Sequence, residues 1–488
     1  MAAPATSSST SNTTATPETS VSYRRFGKIR NMTESKREIL FLIFQLLENQ
    51  KYEGTLHRLE QESGLYFNMK YFEDLVSNGN LDEAENYLSG FINFDDNRHS
   101  CTTIFEIRKL KYLEALDRQD IAKAHKILLK DLKVFGSINE EVFKQLTLLF
   151  SFKNFRENEL LSNYGDTKSM RRRFIDISKE LIKENPKLHA KLKFPAIKDH
   201  RLLKLIIQSL NWQHTRCNPR KREPLFNTLF EDHNCGQSRP MPMNNSMMNT
   251  APGPKARHGA LADNLVSYLR FGGKTRTMRG LTMEILFLLF QLLQNEKYEG
   301  TLHRLEQESG LYFNTKYFED LVSNGNLDEA ENYISGFINF DDNRHSCKTI
   351  FEIRKLKYLE ALDRQDIVKA REIFLNDLKV FESFDEELLE QITHQFFLKN
   401  FRENESLLDV GDIKSLRQRV LFDVKKLIEE NPDLHDKLKF PAIKADRLWE
   451  LLGQSLNWQH TRCNPPKPEP LFNTLFEDHN CDNSGPCL

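Results

Sequence analysis

The sequence predicts an all-α protein built of two tandem helical domains of stacked helical hairpins. Three observations carry that expectation. Apolar residues recur at helical spacing almost throughout, while strand-like alternation is scarce. Helical runs are punctuated by breakers, such as Asn78-Gly79, Pro186 and Pro195. A segment of domain length occurs twice. Lys51–Lys109 and Lys297–Lys355 both read KYEGTLHRLEQESGLYFN…SGFINFDDNRHSC…TIFEIRK, differing only at Met69/Thr315, Leu88/Ile334 and Thr102/Lys348.

The repeat sets the domain organisation. Its offset is 246 residues, and matching continues with more drift to Cys235 and Cys481. The lead-in recurs as VSYRRFGK from Val21 and VSYLRFGGK from Val266. A period of this size means two whole domains, not the 20–50-residue unit of a solenoid. The expected domains are residues 21–235 and 266–481. The Ser/Thr-rich stretch 1–20 is expected to be a disordered tail, 236–265 a linker and 482–488 a short tail. A flexible linker of that length has an r.m.s. span of about 30 Å.

Within each copy the helices can be placed in order. Ser35 and Glu38 have the spacing of a capping box and predict a helix start there; copy two has Leu281 at the first position and begins less well. Residues 39–47, ILFLIFQLL, are apolar almost all round and need burial on more than one face, the second against a partner. Tyr52, Leu56 and Leu59 share one face of the next helix. Arg98–Asp117 reads as one long helix, followed by Asn139–Leu149, Asp166–Lys183 and His200–Trp212.

Composition narrows the function classes. The chain has 488 residues, 39% hydrophobic and 28% charged, with 35 phenylalanines and a formal net charge of −1. That balance supplies no global field for nucleic acid or an anionic membrane. The longest apolar run, Ile39–Leu47, is too short to span a bilayer. The N-terminus lacks a signal-peptide core, and seven cysteines in a large chain without one do not suggest a disulfide framework.

The segment ILFLIFQLLENQKYEGTLHRLEQESG resembles a LisH motif, and YFEDLVSNGNLDEAENYLSGF resembles a CTLH motif. Beyond them FEIRKLKYLEALD, DLKVF, NFRENE…YGDTKS and QSLNWQH resemble the N-terminal domain of the plant TOPLESS corepressors. The resemblance covers some 200 residues in each copy. It implies LisH helices that pair into a homodimer or tetramer. It also implies a groove that accepts the EAR motif, Leu-x-Leu-x-Leu, of transcriptional repressors, and a nuclear location. Relatives of full length continue into WD-repeat propellers, where this chain has a second copy.

A groove for alternate leucines needs apolar pockets under a cationic rim. Arg98, Thr102, Phe105 and Lys109 are spaced 4, 3 and 4 apart and share one face of the long helix, with Ile104 and Ile107 pointing elsewhere. By resemblance, Phe135, Val142, Leu161, Tyr164 and Leu181 complete the groove. Copy two offers Arg344, Lys348, Phe351, Lys355, Phe381, Leu388, Leu407 and Leu427. Phe105, Phe135 and Leu161 read equally well as core residues when taken singly. The family's lysine is Thr102 in copy one, its tyrosine is Val410 in copy two, and His99 and His345 replace another tyrosine. Weaker binding than in the family is therefore expected; a lost rim cation costs on the order of 0.5–1 kcal/mol.

A second constellation lies at the end of each copy. His214-x2-Cys217 precedes His233-x-Cys235, and His460-x2-Cys463 precedes His479-x-Cys481. Two histidines and two cysteines suit a closed tetrahedral zinc site that would order a Pro/Asn-rich segment. A loop with unpaired thiols fits the same residues. Other signals are weaker. Arg171-Arg172-Arg173 reads as a solvated helix face, broken in copy two by Gln418. Arg220-Lys221-Arg222 is a weak nuclear-import signal absent from copy two. Gly272-Gly273-Lys274-Thr275 imitates a phosphate loop, but Tyr268 stands where its first glycine must be. No nucleophile or acid–base pattern is present, so the expectation is a scaffold and not an enzyme. The alternative is a LisH–CTLH subunit of a ubiquitin-ligase complex.

Overall fold

The computed structural model describes residues 32–137, 140–152, 165–217, 228–235, 278–383, 412–463 and 474–481. Among them every regular element is helical, as the periodicity predicts. No helix among them is long and apolar enough to cross a membrane. The expected tails, the 236–265 linker, the Arg220-Lys221-Arg222 run and the Gly272–Thr275 stretch lie outside the described residues.

The chain divides into two compact units, one of Phe44–Ala196 with Tyr298–Arg304, the other of Met1–Ile43, Ile197–Lys297 and Leu305–Leu488. The first helix, α1, spans Met32–Gln50. It begins ahead of the expected capping box, so that reading is corrected. Ser35 is fully buried inside the helix, and the Glu38 carboxylate accepts instead from Thr474 Oγ1 and the Leu475 amide, each at 2.9 Å. Its copy α10, Met278–Asn295, likewise begins before Leu281, which is a core residue. Ile39 to Phe44 and Leu47 of α1 are all buried, as an all-round apolar helix requires.

In the unit containing Phe44–Ala196, helices follow one another in short hairpins: α2 Glu53–Ser63, α3 Met69–Asn78, α4 Leu81–Ser89, α5 Arg98–Asp117, α6 Ile121–Ile127, α7 Glu140–Leu148 and α8 Thr167–Glu184. Local chemistry sets their ends. Asn68, Asn97, Asp120 and Asp166 each accept an amide of the first helical turn through the side chain. Gly79, at φ 86°, stops α3 and returns its amide to Leu75 and Val76, as the Asn-Gly pair predicts. After α6 the chain loosens into a π turn, Leu128–Leu132, and tightens into a 3-10 turn, Lys133–Ser137. That change of pitch delivers Phe135 to the side of α5. Ile104, Ile107, Leu110 and Leu113 of α5 lie in the core.

A buried polar cluster fixes the α2–α4 hairpin. Tyr87 donates to Glu60 at 2.8 Å and accepts the Asn68 amide at 2.9 Å, while His57 Nδ1 stands 2.8 Å from the same carboxylate. Burial and the Glu60 charge push the Tyr87 phenol well up, which keeps it protonated as a donor.

The other unit contains the corresponding elements of the second copy. These are α12 Thr315–Asn324, α13 Leu327–Ile334, α14 Arg344–Asp363, α15 Ile367–Ile373 and α16 Ile413–Glu430; α11 spans Glu299–Ser309. The Tyr333–Glu306 bond, 2.7 Å, repeats the Tyr87–Glu60 one. This unit also packs α9, Arg201–Thr215, along α17, Arg447–His460. Gln213 bonds Gln454 at 2.6 Å and Gln459 bonds Gln208 at 2.7 Å, a near-symmetric exchange between equivalent positions.

Candidate functional site

Helix α5 is anchored at its start. Asn97 accepts the Ser100 amide at 3.0 Å, and Asn185, at the end of α8, donates to Ser100 Oγ at 2.9 Å. From that fixed end, Arg98, Cys101, Thr102 and Phe105 face a cavity of about 420 Å³. Leu132 and Phe135 from the turns and Val142, Phe143 and Leu146 from α7 complete its wall. The lining is largely apolar with a cation at the edge, because Arg98 is exposed. Phe105 is half-buried beside the space, not sealed away from it.

The wall is held by aromatic and charged contacts. Phe105 and Phe135 meet edge to face with centroids 5.2 Å apart. Arg108 lays its guanidinium 5.8 Å from the Phe135 centroid while bonding Glu85 and the Asp131 carbonyl. Lys109 places its ammonium 5.5 Å from the Phe105 centroid and pairs with Glu106 at 2.7 Å. Thr102, which stands where copy two has Lys348, turns its hydroxyl back to the Arg98 carbonyl at 2.9 Å. It therefore offers the cavity mainly its methyl group.

Five predicted positions thus fall in or beside the cavity: Arg98, Phe105, Phe135 and Val142 line it, and Lys109 flanks Phe105. Leu181 is half-buried on α8 and is not part of the lining. Leu161 and Tyr164 lie outside the described residues. The sequence reading missed Cys101, Leu132, Phe143 and Leu146. Cys101 was findable, one turn before Phe105 on the same face.

In copy two, Phe351 and Phe381 are both fully buried, 5.3 Å apart, with Lys355 and Arg354 over their rings at 5.5 and 5.6 Å. Arg344 is exposed, Lys348 is half-buried, and Leu427 is half-buried on α16. Leu388, Leu407 and Val410 lie outside the described residues. His99 and His345 approach Glu184 and Glu430 at 3.5 and 3.9 Å.

The second constellation converges. His214, Cys217, His233 and Cys235 bring one ligand atom each within 4.8 Å of the others, and His460, Cys463, His479 and Cys481 do the same. Cys235 Sγ is 3.4 Å from His214 Nδ1 and 3.3 Å from His233 Nε2; Cys481 Sγ is 3.4 and 3.5 Å from its two histidines. Bonds of about 2.0 Å to nitrogen and 2.3 Å to sulfur in a tetrahedron require such separations. Two nitrogens and two sulfurs leave no open position, so the donor set fits structural zinc, not a catalytic metal. The free-thiol alternative does not account for this convergence.

A family model described as a TPR1-like, CTLH-containing domain matches residues 68–192 and again 314–438, just over half of the chain. A TOPLESS zinc finger domain matches 195–235 and 441–481, which hold the two His/Cys clusters. The chain belongs to the TOPLESS family. It carries the family's CTLH-containing and zinc finger domains twice over. Among its relatives, Protein TPR3 of Oryza sativa subsp. japonica is 55% identical over 227 residues, 46% of this chain and 20% of that protein. Topless-related protein 1 and Protein TOPLESS of Arabidopsis thaliana are each 56% identical over 204 residues, 42% of this chain and 18% of those proteins. The chain spans about a fifth of the length of these TOPLESS relatives.

Proposed function

We propose that this TOPLESS-family chain is a non-enzymatic transcriptional corepressor scaffold in the nucleus, and that it binds the EAR motifs of repressors in the α5 cavity. The observation that carries this reading is an apolar cavity with an exposed arginine at its edge, walled by Phe105 and Phe135. Its volume, about 420 Å³, falls within the 300–1,000 Å³ usual for ligand pockets. Leucine side chains two residues apart in an extended peptide point to the same side, so a single apolar trough suits them. Arg98 is positioned to meet acidic residues between the leucines.

Copy two carries the same α14 face, with Lys348 where copy one has Thr102. Its Phe351 and Phe381 are fully buried, however, where Phe105 borders an open cavity, so the reading assigns peptide binding to copy one. The buried helices α1 and α10 supply the LisH-type pairing surface.

Fluorescence anisotropy with a labelled Leu-x-Leu-x-Leu peptide tests the reading. Saturable binding, lost when the leucines become alanines, is expected. Equal binding of both peptides, or of neither, would remove the basis for it.

A further inference from the structure

Among the described residues two arginines, Arg201 and Arg447, are fully buried, and both belong to one pattern. Arg201 begins α9 and Arg447 begins α17, at equivalent positions of the two copies. A buried guanidinium demands partners for all its N–H groups. Arg201 finds them in the other copy: the Leu475 carbonyl at 2.7 Å, the Glu477 carbonyl at 2.5 Å and the Asp478 carboxylate at 2.6 Å. Arg447 reaches back to the Leu229 carbonyl at 2.7 Å and the Asp232 carboxylate at 2.8 Å, and also holds its own Glu450 at 2.6 Å.

These acceptors sit within the two metal lobes. Asp232 immediately precedes His233, and Asp478 immediately precedes His479. The first helices join the exchange. Glu38 of copy one accepts from Thr474 and Leu475 of copy two, and Glu284 of copy two accepts the Leu229 amide of copy one at 2.7 Å. Leu229 and Leu475 are themselves fully buried. Phe41 meets Phe476 and Phe287 meets Phe230, each pair with centroids 6.3 Å apart. Lobes and helices are thus exchanged reciprocally between copies.

We propose that the two copies close on each other within one chain, each His/Cys lobe clamping the opposite copy, so that metal bound in one lobe stabilises the other copy. The partner that the apolar first helix requires is then the second copy of the same chain, and not another molecule. The metal matters because residues 228–235 and 474–481 form no regular helix or strand of their own; their ligands fix the carbonyls and carboxylates that receive Arg447 and Arg201. This arrangement stands independently of peptide binding.

The test uses the full, zinc-loaded chain with a protease site placed between residues 236 and 265. Before cleavage, sedimentation is expected to show a one-chain particle of 57.3 kDa. After cleavage the halves are expected to stay together, and to part when a chelator removes the metal. A two-chain particle before cleavage, halves that separate at cleavage with metal retained, or halves that stay together after chelation would each overturn the proposal. A single substitution gives a second reading. Asp478→Asn spares every ligand, and is expected to speed amide exchange across Arg201–Gln208 about tenfold, the scale of a lost charge-assisted hydrogen bond. Faster exchange confined to residues 447–463 of its own copy would contradict it.

Discussion

Asn185, at the end of α8, donates a 2.9 Å hydrogen bond to Ser100 in the first turn of α5, and both side chains are fully buried. The same pair recurs as Asn431 and Ser346, also at 2.9 Å. In copy one it fixes the end of α5 from which Arg98, Cys101 and Thr102 face the cavity. Asn185→Ala removes the partner of both the Ser100 hydroxyl and the Asn97 side-chain amide, which donates to Asn185 at 3.1 Å, in a buried site. A loss of about 1–3 kcal/mol is expected in denaturant unfolding. Peptide affinity should fall with it, because the rim of the groove is no longer preorganised.

The hydroxyl of Thr102 is spent on its own helix, so copy one has no cation where copy two has Lys348. Thr102→Lys is expected to tighten an acidic Leu-x-Leu-x-Leu peptide by about 0.5–1 kcal/mol, with a faster on-rate that salt suppresses. Stopped-flow binding at two ionic strengths reads both effects.

Each His/Cys lobe offers a complete tetrahedral donor set. Elemental analysis of the purified chain is expected to find two zinc ions per molecule. Cys235→Ser should leave one. Chelation should lower the melting temperature of the wild-type chain, since binding free energy is folding free energy in such lobes. Zinc affinity should fall on acidification as the ligands take up protons.

Tyr87 is the buried donor that satisfies Glu60. Tyr87→Phe keeps the ring and removes the donor. A destabilisation of about 1–3 kcal/mol is expected in urea melts. Tyr333→Phe should do the same in the second copy.

The long helices were legible because their apolar spacing extends over many turns: α5 runs from Arg98 to Asp117, as the sequence predicts. The start of α1 was not. A Ser-x-x-Glu pattern has the spacing of a capping box, yet Glu38 bonds a segment more than 400 residues away, which no local rule detects. The same holds for the cavity. Residues on the α5 face followed from helical geometry, whereas Leu132 and Phe143 are brought in by a π turn and a packed neighbour that carry no short-range signal. The His/Cys spacing pointed to each cluster. The reciprocal grip of Arg201 and Arg447 depends on packing between distant segments and could not be read from either copy alone.

The Phe105 face of α5 is the surface proposed to seat alternate leucines. Isothermal titration of the intact chain with a Leu-x-Leu-x-Leu peptide, wild type against Phe105→Ala, tests it most directly. Loss of a buried aromatic anchor predicts a change of at least about 2 kcal/mol, or some thirtyfold, at the copy-one site. Unchanged affinity and stoichiometry in a folded Phe105→Ala chain would contradict the account.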